Sequence, residues 1–78
     1  MSERSKLLWR CRRGVKELDV VFTKFFESSY DGLKENEKKT FVRLLELEDP
    51  EILSMMLAQI ESEDKDIAEL VKKIRNSA

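Results

Sequence analysis

The stretch Leu18-Asp19-Val20-Val21-Phe22-Thr23-Lys24-Phe25-Phe26 decides the fold of this 78-residue chain. Leu18, Val21, Phe22, Phe25 and Phe26 recur at i, i+3, i+4, i+7 and i+8, so a helical period gathers them into one broad apolar stripe. A helix built on them is expected to be the centre of the core.

Upstream, Leu7, Leu8 and Cys11 form a narrower apolar edge with Trp9 beside it, and Gly14 is the expected stop of that first helix, as a left-handed cap. Downstream, Tyr30-Asp31-Gly32 reads as a turn. A third helix is expected from near Asn36, with Phe41, Leu44 and Leu45 inward and Lys38, Lys39 and Arg43 in water. Asp49-Pro50 marks a fourth start, Asp49 as the cap and Pro50 at the first helical position, where a missing amide hydrogen costs nothing. Ile52, Leu53, Met56, Leu57 and Ile60 are its expected buried stripe, with the Met55-Met56 pair as core filler. The acidic run Glu61-Ser62-Glu63-Asp64 favours a new helix start through the helix dipole. Ile67, Leu70, Val71 and Ile74 then repeat the helical spacing, and Lys72, Lys73 and Arg75 suit the negative end.

Hydrophobic residues make up 41% and charged residues 40%, with one proline and two glycines. That composition is too apolar for disorder and too poor in turn residues for a sandwich or barrel. The reading is all-α: a small compact bundle of about five short helices, a single domain over residues 1–78, with connections of ~2 to 8 residues. At this size only about 60% of the unfolded surface is buried, so the core is modest.

The net charge of −1 hides an uneven distribution. Residues 1 to 16 carry Arg4, Lys6, Arg10, Arg12, Arg13 and Lys16 against Glu3 alone, a local balance of +5 on an otherwise acidic chain. Such a face attracts an anionic protein surface or nucleic acid phosphates. The single cysteine, Cys11, has no partner for an internal disulfide and is read as a small apolar packing residue; with no histidine in the chain it makes neither a zinc site nor a Cys-His nucleophile. Residues 1–6 contain no apolar signal core, and no apolar run approaches ~18 residues, so a cytoplasmic bacterial protein without membrane insertion is expected.

Catalysis has no support in the residue pattern. There is no histidine, no Gly-rich phosphate loop, no cysteine pair and no motif that sets two carboxylates in a cleft. The densest cluster is Arg12-Arg13-Gly14-Val15-Lys16-Glu17. Its commonest role is structural: Arg12 and Arg13 meet the negative pole of one helix, Gly14 caps it, and Glu17 meets the positive pole of the next.

That cluster and its surroundings resemble a known family. Trp9-Arg10-Cys11-Arg12-Arg13-Gly14-Val15-Lys16-Glu17-Leu18-Asp19 contains an Arg-Gly-x-x-Glu signature; Phe25-Phe26-Glu27 with Tyr30-Asp31 and Leu33, and Phe41-Val42-Arg43-Leu44-Leu45-Glu46 with Asp49-Pro50, follow in order. Together they are similar to the succinate dehydrogenase assembly factors that promote covalent FAD attachment to the flavoprotein subunit. The resemblance implies a chaperone-like protein, not an enzyme, that binds this subunit, with fumarate reductase as a further candidate client. It implies that FAD belongs to the client, this chain having no cofactor or metal of its own. The implied partner-binding residues are Arg13, Gly14 and Glu17, widened by Arg12, Trp9 and Arg10. In this picture Arg13 offers its planar donor fork to the client, Gly14 permits close backbone approach, and Glu17 either docks or orients Arg13. Gly14→Arg, Arg13→Ala and Glu17→Ala are each expected to lower covalent flavin yield with helicity intact. One departure stands out: Lys34 lies where the family often has a small polar cap, and Asn36 is the expected substitute.

The runner-up is a small helical antitoxin or nucleic-acid-binding module that uses the basic N-terminal face. The acidic overall balance, and the lack of aromatics interleaved with the basic residues, make nucleic acid the poorer fit.

Overall fold

The computed structural model describes residues 3–77; the domain limits expected at residues 1 and 78 lie outside them. Five α-helices follow one another: α1 (Glu3–Arg10), α2 (Lys16–Ser29), α3 (Glu35–Leu45), α4 (Asp49–Met56) and α5 (Lys65–Ser77). A 3-10 turn at Tyr30–Gly32 joins α2 to α3, as the turn residues there predict. The described chain contains no strand, in agreement with the all-α reading.

The amphipathic stripe of α2 behaves as its spacing requires: Leu18, Phe22, Phe25 and Phe26 are buried and Val21 packs against them. Phe41 of α3 is the meeting point of the aromatic side chains. Its ring lies 5.7 Å from Phe25, 6.1 Å from Phe22 in an edge-on arrangement, 6.3 Å from Phe26 and 5.7 Å from Tyr30. Offset and edge-on pairs of this kind each add about 0.5–1.5 kcal/mol beyond burial. The helix that ties the bundle together is nevertheless α5, which packs against α2, α3 and α4. Its Ile67, Leu70, Val71 and Ile74 are all buried, one residue set at helical spacing serving three neighbours.

Four local expectations are corrected. Gly14 does not take a left-handed φ, and α1 has already ended at Arg10. Asp49 is not the cap of α4: Glu48 occupies that position, Asp49 and Pro50 are the first two helical residues, and the Asp49 carboxylate is engaged elsewhere. Asn36 does not cap α3; Lys34 is the capping position, and its backbone amide donates to the Glu37 carboxylate at 3.1 Å. Leu57 and Ile60 are exposed, because α4 stops at Met56 and Ala58 turns the chain with a φ of 59°. The remaining α4 stripe is as expected, with Ile52 and Met55 buried and Leu53 and Met56 packed against the core. The acidic run also acts as read: the Asp64 carboxylate accepts from the amides of Asp66 and Ile67 and opens α5.

Candidate functional site

The Arg-Gly-x-x-Glu stretch forms the corner between α1 and α2. The amide of Cys11 donates to the carbonyls of Leu7 and Leu8, and that of Arg12 to the carbonyl of Trp9, which winds α1 down tightly. Cys11 is fully buried, so the chain is pinned to the core at that point. Burial pushes its thiol up to about 12, against a smaller opposing effect of the Arg13 guanidinium, so Cys11 is a neutral packing group. From there Arg12 and Gly14 lie at the surface while Arg13 turns inward and Val15, at the N-cap of α2, packs against the core.

Arg13 is the anchor of the corner. Its Nε donates to Asp49 Oδ1 at 2.7 Å, Nη1 to the Leu45 carbonyl at 2.8 Å and Nη2 to the Leu47 carbonyl at 2.7 Å, with a longer contact from Nη1 to the Arg10 carbonyl at 3.4 Å. Leu45 is the last residue of α3 and Arg10 the last of α1, so one guanidinium meets the negative poles of two helices. Only 13% of the Arg13 side chain and 24% of the Asp49 side chain is exposed. The donor fork expected to face a partner is therefore committed inside the molecule, and Asp49, not Glu17, orients it.

The other expected site residues lie on the outside of this anchor. Gly14 is exposed, and a Cβ built on it would come no closer than 3.7 Å to Asp49 Oδ2, an ordinary contact. Glu17 is exposed on the first turn of α2, and no side-chain partner holds it among the described residues. Trp9 is 67% exposed, which makes it surface and not a lid on the core. The Arg12 guanidinium stacks over the Trp9 ring at 5.6 Å. Arg10 reaches Glu46 at 3.9 Å in an exposed pair, a contact worth little in water. The structure thus joins Arg13, Gly14 and Asp49 at one place, and Trp9 with Arg12 beside it. Among the described residues, no hydrogen bond or ion pair links Glu17 to either group.

Asp49 is the residue that local reasoning missed. An acid before proline satisfies a helix start by itself, and nothing local reveals a partner 36 positions away. Its place in the third family-like block, beside Pro50, was the available signal.

Fold and corner together define a small helical protein that presents an exposed charged edge, held from behind by an internal ion pair. Among the described residues no group of acidic or cysteine side chains is arranged to hold a metal ion, and no helix is long and apolar enough to cross a membrane. Residues 5–78 match the family described as flavinator of succinate dehydrogenase, and the chain belongs to that family. Among its relatives, the FAD assembly factor SdhE of Yersinia pseudotuberculosis is 38% identical over 76 residues, covering 97% of this chain and 86% of the relative. SdhE of Vibrio parahaemolyticus is 43% identical over 72 residues, 92% of this chain and 84% of the relative. SdhE of Pectobacterium atrosepticum is 35% identical over 75 residues, 96% and 85% respectively.

Proposed function

We propose that this protein is an assembly factor that binds the flavoprotein subunit of succinate dehydrogenase and promotes the covalent attachment of FAD to it. The family match over residues 5–78 carries this reading. The exposed Gly14 and Glu17 edge supplies its physical basis, because both residues lie at the surface and the fold needs neither for its own packing, which leaves them open to a partner. Trp9 and Arg12 add a large exposed aromatic face with a cation over it, a pairing suited to an interface anchor.

Rate enhancement in this scheme comes from positioning: the factor holds the client so that its own histidine and flavin are aligned. FAD is the client's cofactor, and this chain contributes no acid, base or nucleophile. The test is co-expression with the flavoprotein subunit, with covalent flavin read by fluorescence after denaturing electrophoresis. Glu17→Ala and Gly14→Arg should each lower the yield; a yield equal to wild type in both would refute the proposal. The same assay with the fumarate reductase flavoprotein decides whether that subunit is a second client. The nucleic acid reading has no such support: Arg4 and Arg13 are drawn to Asp31 and Asp49 at 3.4 and 2.7 Å, so part of the basic face is neutralised within the chain.

A further inference from the structure

We infer that Asp49 is a positioning residue for the docking edge, acting through Arg13; the inference rests on the function proposed above. Among the described residues, the backbone amides of residues 13–15 donate to no other group, so no ladder of main-chain hydrogen bonds sets the path of this segment. Side chains do so instead: Val15 packs against the core at one end of the segment, and Arg13 supplies its polar anchor. Arg13 is gripped by the Leu45 carbonyl at the end of α3, the Leu47 carbonyl in the α3–α4 connection and the Asp49 carboxylate at the start of α4, all within 2.8 Å. Charge-assisted bonds of this length are the stronger kind, and a planar guanidinium held at three points has little freedom to tilt.

Asp49 stands on firm ground in turn. It is the first residue of α4, whose Ile52 and Met55 are buried three and six residues further on. Its second carboxylate oxygen is the nearest heavy atom to the position a Gly14 Cβ would take, at 3.7 Å. The carboxylate therefore holds the anchor with one oxygen and faces the Gly14 side of the edge with the other. Without its charge, Arg13 keeps the two carbonyls but loses the ion pair that fixes its rotation, and Gly14 and Glu17 no longer start from one orientation. Binding then has to order the edge, which weakens association even though Asp49 meets no partner.

The test compares Asp49→Asn, Asp49→Glu, Glu17→Ala and Ile74→Val for affinity to the purified flavoprotein subunit, each alongside thermal unfolding and the NMR signal of the Arg13 Nε–H. Asp49→Asn should stay folded, lose the downfield Nε–H signal and bind about tenfold more weakly, the scale of one charge-assisted bond. Asp49→Glu should recover part of both. Ile74→Val, a buried change remote from the edge, should lower the melting temperature and leave affinity alone, which separates positioning from general stability. Wild-type affinity in Asp49→Asn beside weakened Glu17→Ala would overturn the inference and leave the proposed function standing. No measurable affinity of the wild-type chain for the flavoprotein subunit would overturn the proposed function and this inference with it, whereas unchanged affinity in Glu17→Ala would overturn the inference alone, since Glu17 would then not belong to the docking edge. An Asp49→Asn chain that is unfolded at room temperature would also overturn it, since the carboxylate would then be holding the fold as a whole.

Discussion

Gly14 and Arg13 are neighbours that make opposite demands on the fold. Gly14 has no left-handed φ and no crowded Cβ position, so Gly14→Ala should change stability by less than about 0.5 kcal/mol in urea unfolding. Its effect on flavin yield then reports on contact with the client. Arg13 is the reverse case: Arg13→Ala strands the Asp49 carboxylate and the Leu45 and Leu47 carbonyls. It should destabilise by about 2–3 kcal/mol, so a lower flavin yield in this variant combines lost stability with lost docking even where helicity stays intact. Cys11 makes a pH prediction. Burial raises its thiol from 9.0 to about 12, so the folded chain holds the proton that the unfolded chain releases between those values. Stability from this group is complete below pH 9 and declines as pH rises toward about 12. Wild type should therefore lose more stability over that range than Cys11→Ala in parallel denaturant titrations, and native Cys11 should resist alkylation at pH 8.

The elements show where local rules hold. Buried residues at the 3.6-residue period in α2, α3 and α5 agree with the spacing read from the chain, because each helix is amphipathic in its own sequence. Helix ends agree less well. α4 stops after Met56 with no glycine or proline to announce it, and Ala58 adopts a conformation that a side chain resists by roughly 1–2 kcal/mol. Ala58→Gly should stabilise the protein by about 0.5–1 kcal/mol, the relief being offset in part by a freer unfolded chain; an unchanged unfolding midpoint would show that the turn is unstrained. At the start of α3, the Lys34 backbone amide and then the Lys73 ammonium hold the Glu37 carboxyl below its ordinary value of 4.5. The stabilisation is present above pH 4.5 and fades as acid protonates the folded carboxylate. Glu37→Gln should therefore flatten the acid limb of the stability profile.

For the whole molecule, the decisive element is α5. The packing of α5 against α2, α3 and α4 means that removing residues 65–77 exposes three helices at once. A chain truncated at Asp64 should lose its cooperative thermal transition. Electrostatics also change at this scale. The sequence reads as a +5 basic end, yet Arg4, Arg10 and Arg13 each find an acid on another part of the chain. Client affinity should therefore fall much less between 50 and 200 mM salt than the ~10³–10⁵-fold loss of a protein that contacts many phosphates.

The number of helices, the apolar faces of α2, α3 and α5, the aromatic content of the core and the family signature were legible in the chain, because period, composition and motif spacing are local properties; Leu8, Leu57 and Ile60, read as apolar-face residues, are exposed. The corner needed tertiary structure. Arg12, Arg13, Gly14 and Glu17 look equivalent as a charged cluster, and only folding brings Asp49 and the α3–α4 carbonyls up behind Arg13 and leaves Glu17 outside. The physical reason is range: a guanidinium takes whichever acceptors the packing of distant helices delivers to it, and that choice is made by contacts 32 to 36 residues apart.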